Sequence, residues 1–267
     1  MKPERTVICT QAITANEAEQ ALSARFGLPL IAVEQLQAGS CDFFLRFDDK
    51  GLTLFRNESD VPGGLCIDFD DPQLLRRTDD QLRQQNLCRA AGLKGKVQLH
   101  ILDAMAGLGK DAWLLANAGA NVHLLERAPV VYALLEDAFE RRRSLSSITT
   151  SPLQRMQLQH ADFFDVANEL PHFDVVYLDP MFPPSNKNAR AKKDMFLLQA
   201  LLGEDECDEA AMLAAARAIA RNRVVVKRAK LSPHLAGQRP DIEYKGSSNR
   251  YDVYLYKPEA KDRAGAR

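Results

Sequence analysis

Cysteine is scarce and unpaired in this chain of 267 residues. Cys9, Cys41, Cys66, Cys88 and Cys207 are scattered and odd in number. No Cys-x-x-Cys pair and no Cys/His spacing of the zinc type occurs, so neither a disulfide framework nor a bound metal is expected. Reduced thiols in the cytoplasm are the simplest reading. No apolar run approaches the length of a membrane span. The opening Met1-Lys2-Pro3-Glu4-Arg5 lacks the apolar core of a signal peptide. Internal repeats and long low-complexity segments are missing as well. So is an excess of either charge: 35 Lys/Arg stand against 36 Asp/Glu, a net of −1. No global basic field announces a nucleic-acid partner. The balance is uneven, however. Residues 1–95 hold 11 Lys/Arg and 14 Asp/Glu, and residues 96–267 hold 24 and 22. A polyanionic partner would have to meet local patches in the second half.

What is there is a globular composition, 46% hydrophobic and 27% charged. The length suffices for one large domain and a small one. The chain is organised around Ile101-Leu102-Asp103-Ala104-Met105-Ala106-Gly107-Leu108-Gly109-Lys110-Asp111. An apolar run ends on an acid, small residues and two glycines follow, and an apolar helix begins. Gly107 and Gly109 allow a sharp turn and close approach of a ligand to the amides. The helix after them aims its N-terminal N–H groups at the same space. This is the nucleotide-type site of an open α/β sheet. Asp103 at the strand end repels a pyrophosphate but attracts the ammonium and sulfonium of S-adenosylmethionine. That cofactor is therefore expected in place of a dinucleotide.

Residues 1–75 read as a small α+β lobe. It has strands at 6–10, 42–47, 51–55 and 64–69 and a helix at 16–26 that stops at Gly27. Residues 76–96 connect, with a polar helix over 76–92. Residues 97–257 read as the main domain, and the tail 258–267 as frayed. The main domain's strands fall at 97–103, 121–126, 156–160, 173–179 and 223–227, followed by a hairpin of 242–245 and 251–256. Helices are expected at 112–118, 129–143, 195–202 and 208–220. Trp113 is a core residue on this reading.

Three further acids sit where such a sheet presents its ligands. Glu126 ends the second strand and suits the two ribose hydroxyls. Asp162 follows the third strand, where it is placed to accept from an adenine amino group or to cap a helix; Phe163 beside it suits stacking on the base. Asp179 ends the fourth strand and opens Asp179-Pro180-Met181-Phe182-Pro183-Pro184. An acid, a proline and a stiffly held aromatic here fit methylation of an exocyclic amine. The amine's lone pair is delocalised into the ring. Asp179 and the Pro180 carbonyl accept its N–H groups and favour a more tetrahedral nitrogen, while Phe182 stacks on the base. The polar segment 185–193, with Lys187, Arg190, Lys192 and Lys193, reads as a loop beside the site. With Lys227 and Arg228 it offers charge to RNA phosphates.

These runs, with Leu125-Glu-Arg-Ala-Pro-Val-Val131, Val176-Tyr-Leu-Asp-Pro-Met-Phe-Pro183, Lys192-Lys-Asp-Met195 and Val224-Val-Val-Lys-Arg228, resemble the bacterial ribosomal RNA small-subunit methyltransferase J family. The resemblance covers about residues 97–257. It implies a class I methyltransferase, a Rossmann-like α/β fold with a seven-stranded sheet. It also implies transfer of a methyl group from S-adenosylmethionine to the exocyclic N2 of one guanosine of 16S rRNA, with the base splayed out of its helix. Carried over, the family's cofactor contacts fall on Lys110, Asp111, Glu126, Arg127, Asp162 and Asp179. Two departures stand out. Met105 replaces the first glycine of the usual turn, and Asp162-Phe163 stands where small hydroxyl residues are expected. Methylation of adenine N6 or cytosine N4 on the same fold, nicotinamide chemistry and a non-catalytic ribosome-binding role are the rival readings.

Overall fold

The computed structural model describes residues 6–11, 15–37, 39–58, 63–94, 98–145, 151–180, 189–203 and 208–257, and for Leu145 and residues 189–193 the backbone alone. The chain divides into two compact units. The first takes residues 1–70, 128–147 and 186–205, and the second takes 71–127, 148–185 and 206–267.

The first unit carries a four-stranded sheet in the order β2-β1-β3-β4, with β1 at Thr6–Thr10, β2 at Leu30–Ala32, β3 at Phe43–Asp48 and β4 at Gly51–Arg56. Helix α1, Glu17–Phe26, is stopped at both ends by its own residues. Asn16 and Glu19 form a reciprocal capping box, and Gly27 closes the helix at φ 65°. Helix α5 (Pro129–Leu145) also belongs here. Its Asp137 accepts the Leu52 amide at 3.0 Å, and its Arg141 donates to the Ile67 carbonyl at 2.6 Å. Residues 64–69 are not the expected strand. Leu65 makes a single antiparallel bridge with Leu54, at a point where a Cβ on Gly64 would lie 2.2 Å from Thr53 Cγ2. Strand β2 escapes a pattern search because three residues cannot show an alternation.

The second unit holds the seven-stranded sheet, in the order β10-β11-β9-β8-β5-β6-β7. Strands β5 (His100–Asp103), β6 (Asn121–Glu126), β7 (Met156–His160), β8 (Phe173–Leu178) and β9 (Ala220–Ala229) are parallel. The hairpin β10 (Ile242–Lys245) and β11 (Asn249–Leu255) adds the antiparallel edge. One face buries Leu102, Val176, Leu178, Val224 and Val226 with Met212, Leu213 and Ala216 of α8, Glu209–Ile219. Each such valine, leucine or methionine contributes about 2 kcal/mol on leaving water. The two-residue period of a strand turns Asp103, Tyr177 and Lys227 to the opposite face. Helix α4 (Lys110–Asn117), with Trp113 only 1% exposed, follows the glycine turn.

Two further expectations change. Residues 76–92 are not one helix. After α2 (Pro72–Leu75) come 3-10 turns at Arg76–Thr78 and Leu82–Gln84 and the helix α3, Asn86–Ala91. The break lies at Asp79, whose backbone is extended and whose carboxylate accepts the Gln81 amide at 3.0 Å, in competition with a helix. Residues 189–193, read as loop, open helix α7, Ala189–Leu202. Alanine, arginine and lysine are strong helix formers, and no proline follows Pro184 there. The tail 258–267 lies outside the described residues.

Candidate active site

Register builds the site. On the parallel strands, Asp103 lies opposite Tyr177, Tyr177 opposite Val225, and Lys227 opposite Tyr251 of β11. One step past Leu178, paired with Val226, puts Asp179 beside Lys227. Alternation aims all of these at one face, at the carboxyl ends of the strands, where open α/β sheets hold ligands.

The turn between β5 and α4 is tight. Gly107 and Gly109 take φ of 53° and 68°, a region that costs any residue with a Cβ. Glu126, at the end of β6, accepts the Gly107 amide at 2.9 Å. Lys110 is exposed on the first turn of α4, and Asp111 follows it.

The carboxylates converge on one ammonium. Lys227 Nζ donates to Asp111 Oδ2 at 2.8 Å and to Asp179 Oδ2 at 2.7 Å. The Tyr177 hydroxyl donates to the same Asp111 oxygen at 2.7 Å. Burial alone would raise Asp111, but Lys227 and Tyr177 hold it below the usual carboxylate range. Burial and the nearby Asp111 leave Asp179 raised even with Lys227 beside it. Asp103, 2% exposed, is raised well above the ordinary value by burial and then by Asp111 and Asp179. Burial opposes the Lys227 charge, yet the two acids lift its pKa well above that of an ordinary lysine. Two acids thus share one half-buried ammonium, with buried Asp103 close by. A phosphate is repelled by this set, whereas a ligand carrying ammonium and sulfonium charge complements it, and S-adenosylmethionine fits. Asp103, Gly107, Gly109, Asp111, Glu126 and Asp179 would line its place.

Other predicted residues are placed differently. Asp162 caps the one-turn helix α6 (Phe163–Val166), accepting the Phe164 amide at 2.9 Å, and pairs with exposed Arg127 at 3.2 Å. That cap turns Phe163 inward: it is 2% exposed in the core cluster and cannot stack on an adenine, while Phe164 is 39% exposed. Arg228 is not available to RNA. It is 3% exposed and gives its guanidinium to Glu209 at 2.9 Å and to the Pro233 carbonyl at 2.9 Å. It faces the α8 side because Lys227 faces the other. Lys227, also read as an RNA contact, is committed to the two acids. Pro180 is half-buried behind Asp179. Phe182 and Lys187 lie outside the described residues, and Arg190, Lys192 and Lys193 are described only as backbone of α7. Tyr177 was missed, and so was the structural work of Lys227. A lysine closing an apolar strand in phase with an aspartate on the next is the signal that would have found the pair. Among the described residues no group of three or more His, Cys, Asp or Glu is placed to hold a metal ion, and no helix is long and apolar enough to cross a membrane.

Known proteins are similar to this chain. Residues 26–256 match the family described as "Putative SAM-dependent methyltransferase". The ribosomal RNA small subunit methyltransferase J of Pseudoalteromonas atlantica is 44% identical over 232 residues, 79% of this chain and 89% of that protein. The protein of the same name from Coxiella burnetii is 39% identical over 246 residues, 92% and 94% of the two chains. Among solved structures, a SAM-dependent methyltransferase from Neisseria gonorrhoeae superposes with a TM-score of 0.68 at 30% identity, covering 96% of this chain and 98% of that one.

Proposed function

The chain belongs to the SAM-dependent methyltransferases, in the ribosomal RNA small subunit methyltransferase J family, and on that premise we propose that it methylates the exocyclic N2 of one guanosine in 16S rRNA. Residues 97–257 are the proposed catalytic domain. S-adenosylmethionine, when bound, supplies an electrophilic methyl group on its sulfonium. The protein's share is to hold that cofactor and to present the amine.

The observation that carries the reading is Asp179. It stands at the carboxyl end of β8 and gives one oxygen to Lys227. Among the described residues its Oδ1 accepts no hydrogen bond. An N–H of an aryl amine is the donor this oxygen suits, with the Pro180 carbonyl beside it. The Gly107–Glu126 contact shapes the proposed cofactor turn, and Asp103 and Asp111 supply the negative charge a cationic cofactor needs. Most of the rate then comes from positioning rather than from a strong base. Exposed Arg127 and the basic residues Lys187, Arg190, Lys192 and Lys193 remain the proposed contacts to cofactor or RNA.

The test is methyl transfer from labelled S-adenosylmethionine to purified small subunits that lack the modification, with digestion to nucleosides. Label in N2-methylguanosine is expected. Label in methyladenosine or methylcytidine would keep the fold and the amine chemistry but reject the base.

A further inference from the structure

Lys227 is absent from the cofactor contacts that the family resemblance carries over, yet its ammonium is bonded to two of the site's acids. It arrives on β9 directly across from Asp179 and pairs across the strands with buried Tyr251. Its ammonium spans Asp111 and Asp179 at 2.8 and 2.7 Å, and the Tyr177 hydroxyl pins Asp111 from behind at 2.7 Å. A chain of charge-assisted bonds therefore runs from Tyr177 through Asp111 and Lys227 to Asp179, at the carboxyl ends of the central strands. Such bonds are short and directional. An RNA phosphate would have to displace two carboxylates to reach this ammonium.

We propose that Lys227 is a positioning residue for the methyl transfer proposed above: by taking Oδ2 of Asp179, it aims Oδ1 at the exocyclic amine. This rests on the proposed reading of the site. The second anchor at Asp111 matters because a lysine with one partner swings on a four-carbon stem, whereas two partners fix Nζ. The charge matters as well. An ionised carboxylate only accepts, while a protonated one also donates. An amine N–H meeting a donor gains nothing. Asp111 and Asp179 raise Asp103, and Asp111 raises Asp179, so without the ammonium Asp179 takes up a proton more readily and becomes a poor acceptor. Among the described residues Arg77 also acts on this cluster and lowers Asp111; Tyr177 and Tyr251 face it as neutral phenols raised by burial.

Lys227→Met and Lys227→Gln remove the charge, and Lys227→Arg keeps it. With methionine, kcat at neutral pH is expected to fall about 100-fold, the size seen when a preorganised electrostatic contact is removed, while KM for S-adenosylmethionine stays within about threefold. The lost rate returns as pH rises and Asp179 ionises, and arginine keeps the wild-type pH limb. A fall equal at every pH, or a kcat within about twofold of wild type, overturns the proposal. A second readout needs no substrate. In protein labelled with 13C at the aspartate carboxyls, with the Asp179 signal assigned by Asp179→Asn, the Asp179 titration moves upward by about one unit or more in the methionine or glutamine variant. An unmoved titration in a folded variant sinks the proposal. A moved titration in a protein that labels no guanosine sinks the substrate reading alone. Should methionine fail to fold, glutamine, which keeps a donor without charge, carries the same measurements.

Discussion

Glu126 and Gly107 are joined across one β–α–β unit: the carboxylate at the end of β6 accepts the amide of the glycine turn at 2.9 Å. The acid proposed for the ribose hydroxyls is therefore also a brace for the turn. Glu126→Ala removes both, and cofactor affinity is expected to drop about 10- to 100-fold, about 1.4–2.7 kcal/mol. Titration calorimetry with S-adenosylhomocysteine reads this directly. Unchanged affinity would remove Glu126 from the cofactor site.

Asp179 separates chemistry from folding. Asp179→Ala is expected to cost at least about 100-fold in kcat. It is expected to leave the thermal midpoint close to wild type, because the side chain is one-third exposed. Activity near wild type would take Asp179 out of the mechanism. A loss explained by unfolding would show in the melt.

The main sheet was legible in the sequence because its signals are local. The runs 121–126, 156–160 and 242–245 coincide with β6, β7 and β10, and the first ends on Glu126. What escaped depends on which way a side chain turns and on which segment it meets. Phe163 and Phe164 are equally aromatic in sequence, and only the Asp162 cap decides which turns inward. Lys227 and Arg228 are both basic, and strand parity sends one to two aspartates and the other to Glu209. The helix Pro129–Leu145 is read easily from its pattern. Its grouping with the first unit rests on Asp137 and Arg141 meeting residues far away in the chain, which no local pattern announces.

Asp103 makes stability depend on pH with a definite sign. Burial, then Asp111 and Asp179, raise its folded-state pKa well above the unfolded value. The folded chain keeps a proton that the unfolded chain has already lost, so stability falls as pH rises from the ordinary carboxylate range to the raised value. Asp103→Asn is expected to raise the thermal midpoint of the cofactor-free protein at about pH 8 and to change it little at about pH 4. The same change weakens binding of the cationic cofactor. A midpoint lowered at both pH values would contradict this assignment.

Arg250 and Asp252 form a buried pair, 6% and 0% exposed, joined through Nε–Oδ1 at 2.7 Å and Nη2–Oδ2 at 3.0 Å. Arg250 also donates to the carbonyls of Lys230, Ser232 and Pro233, fixing the turn after β9. Arg250→Met strands a buried carboxylate, and a loss of about 3–5 kcal/mol is expected in denaturant unfolding. Asp252→Asn combined with Arg250→Met should recover part of it. A loss under about 1 kcal/mol for the single variant would show that the pair is solvated.

The most direct measurement is quantitative nucleoside analysis of small-subunit rRNA from cells deleted for this gene and supplied with either wild-type protein or Asp179→Ala. One N2-methylguanosine is expected to be lost on deletion, restored by the wild type and not by the variant. A modification that persists in the deletion, or returns with Asp179→Ala, would contradict it.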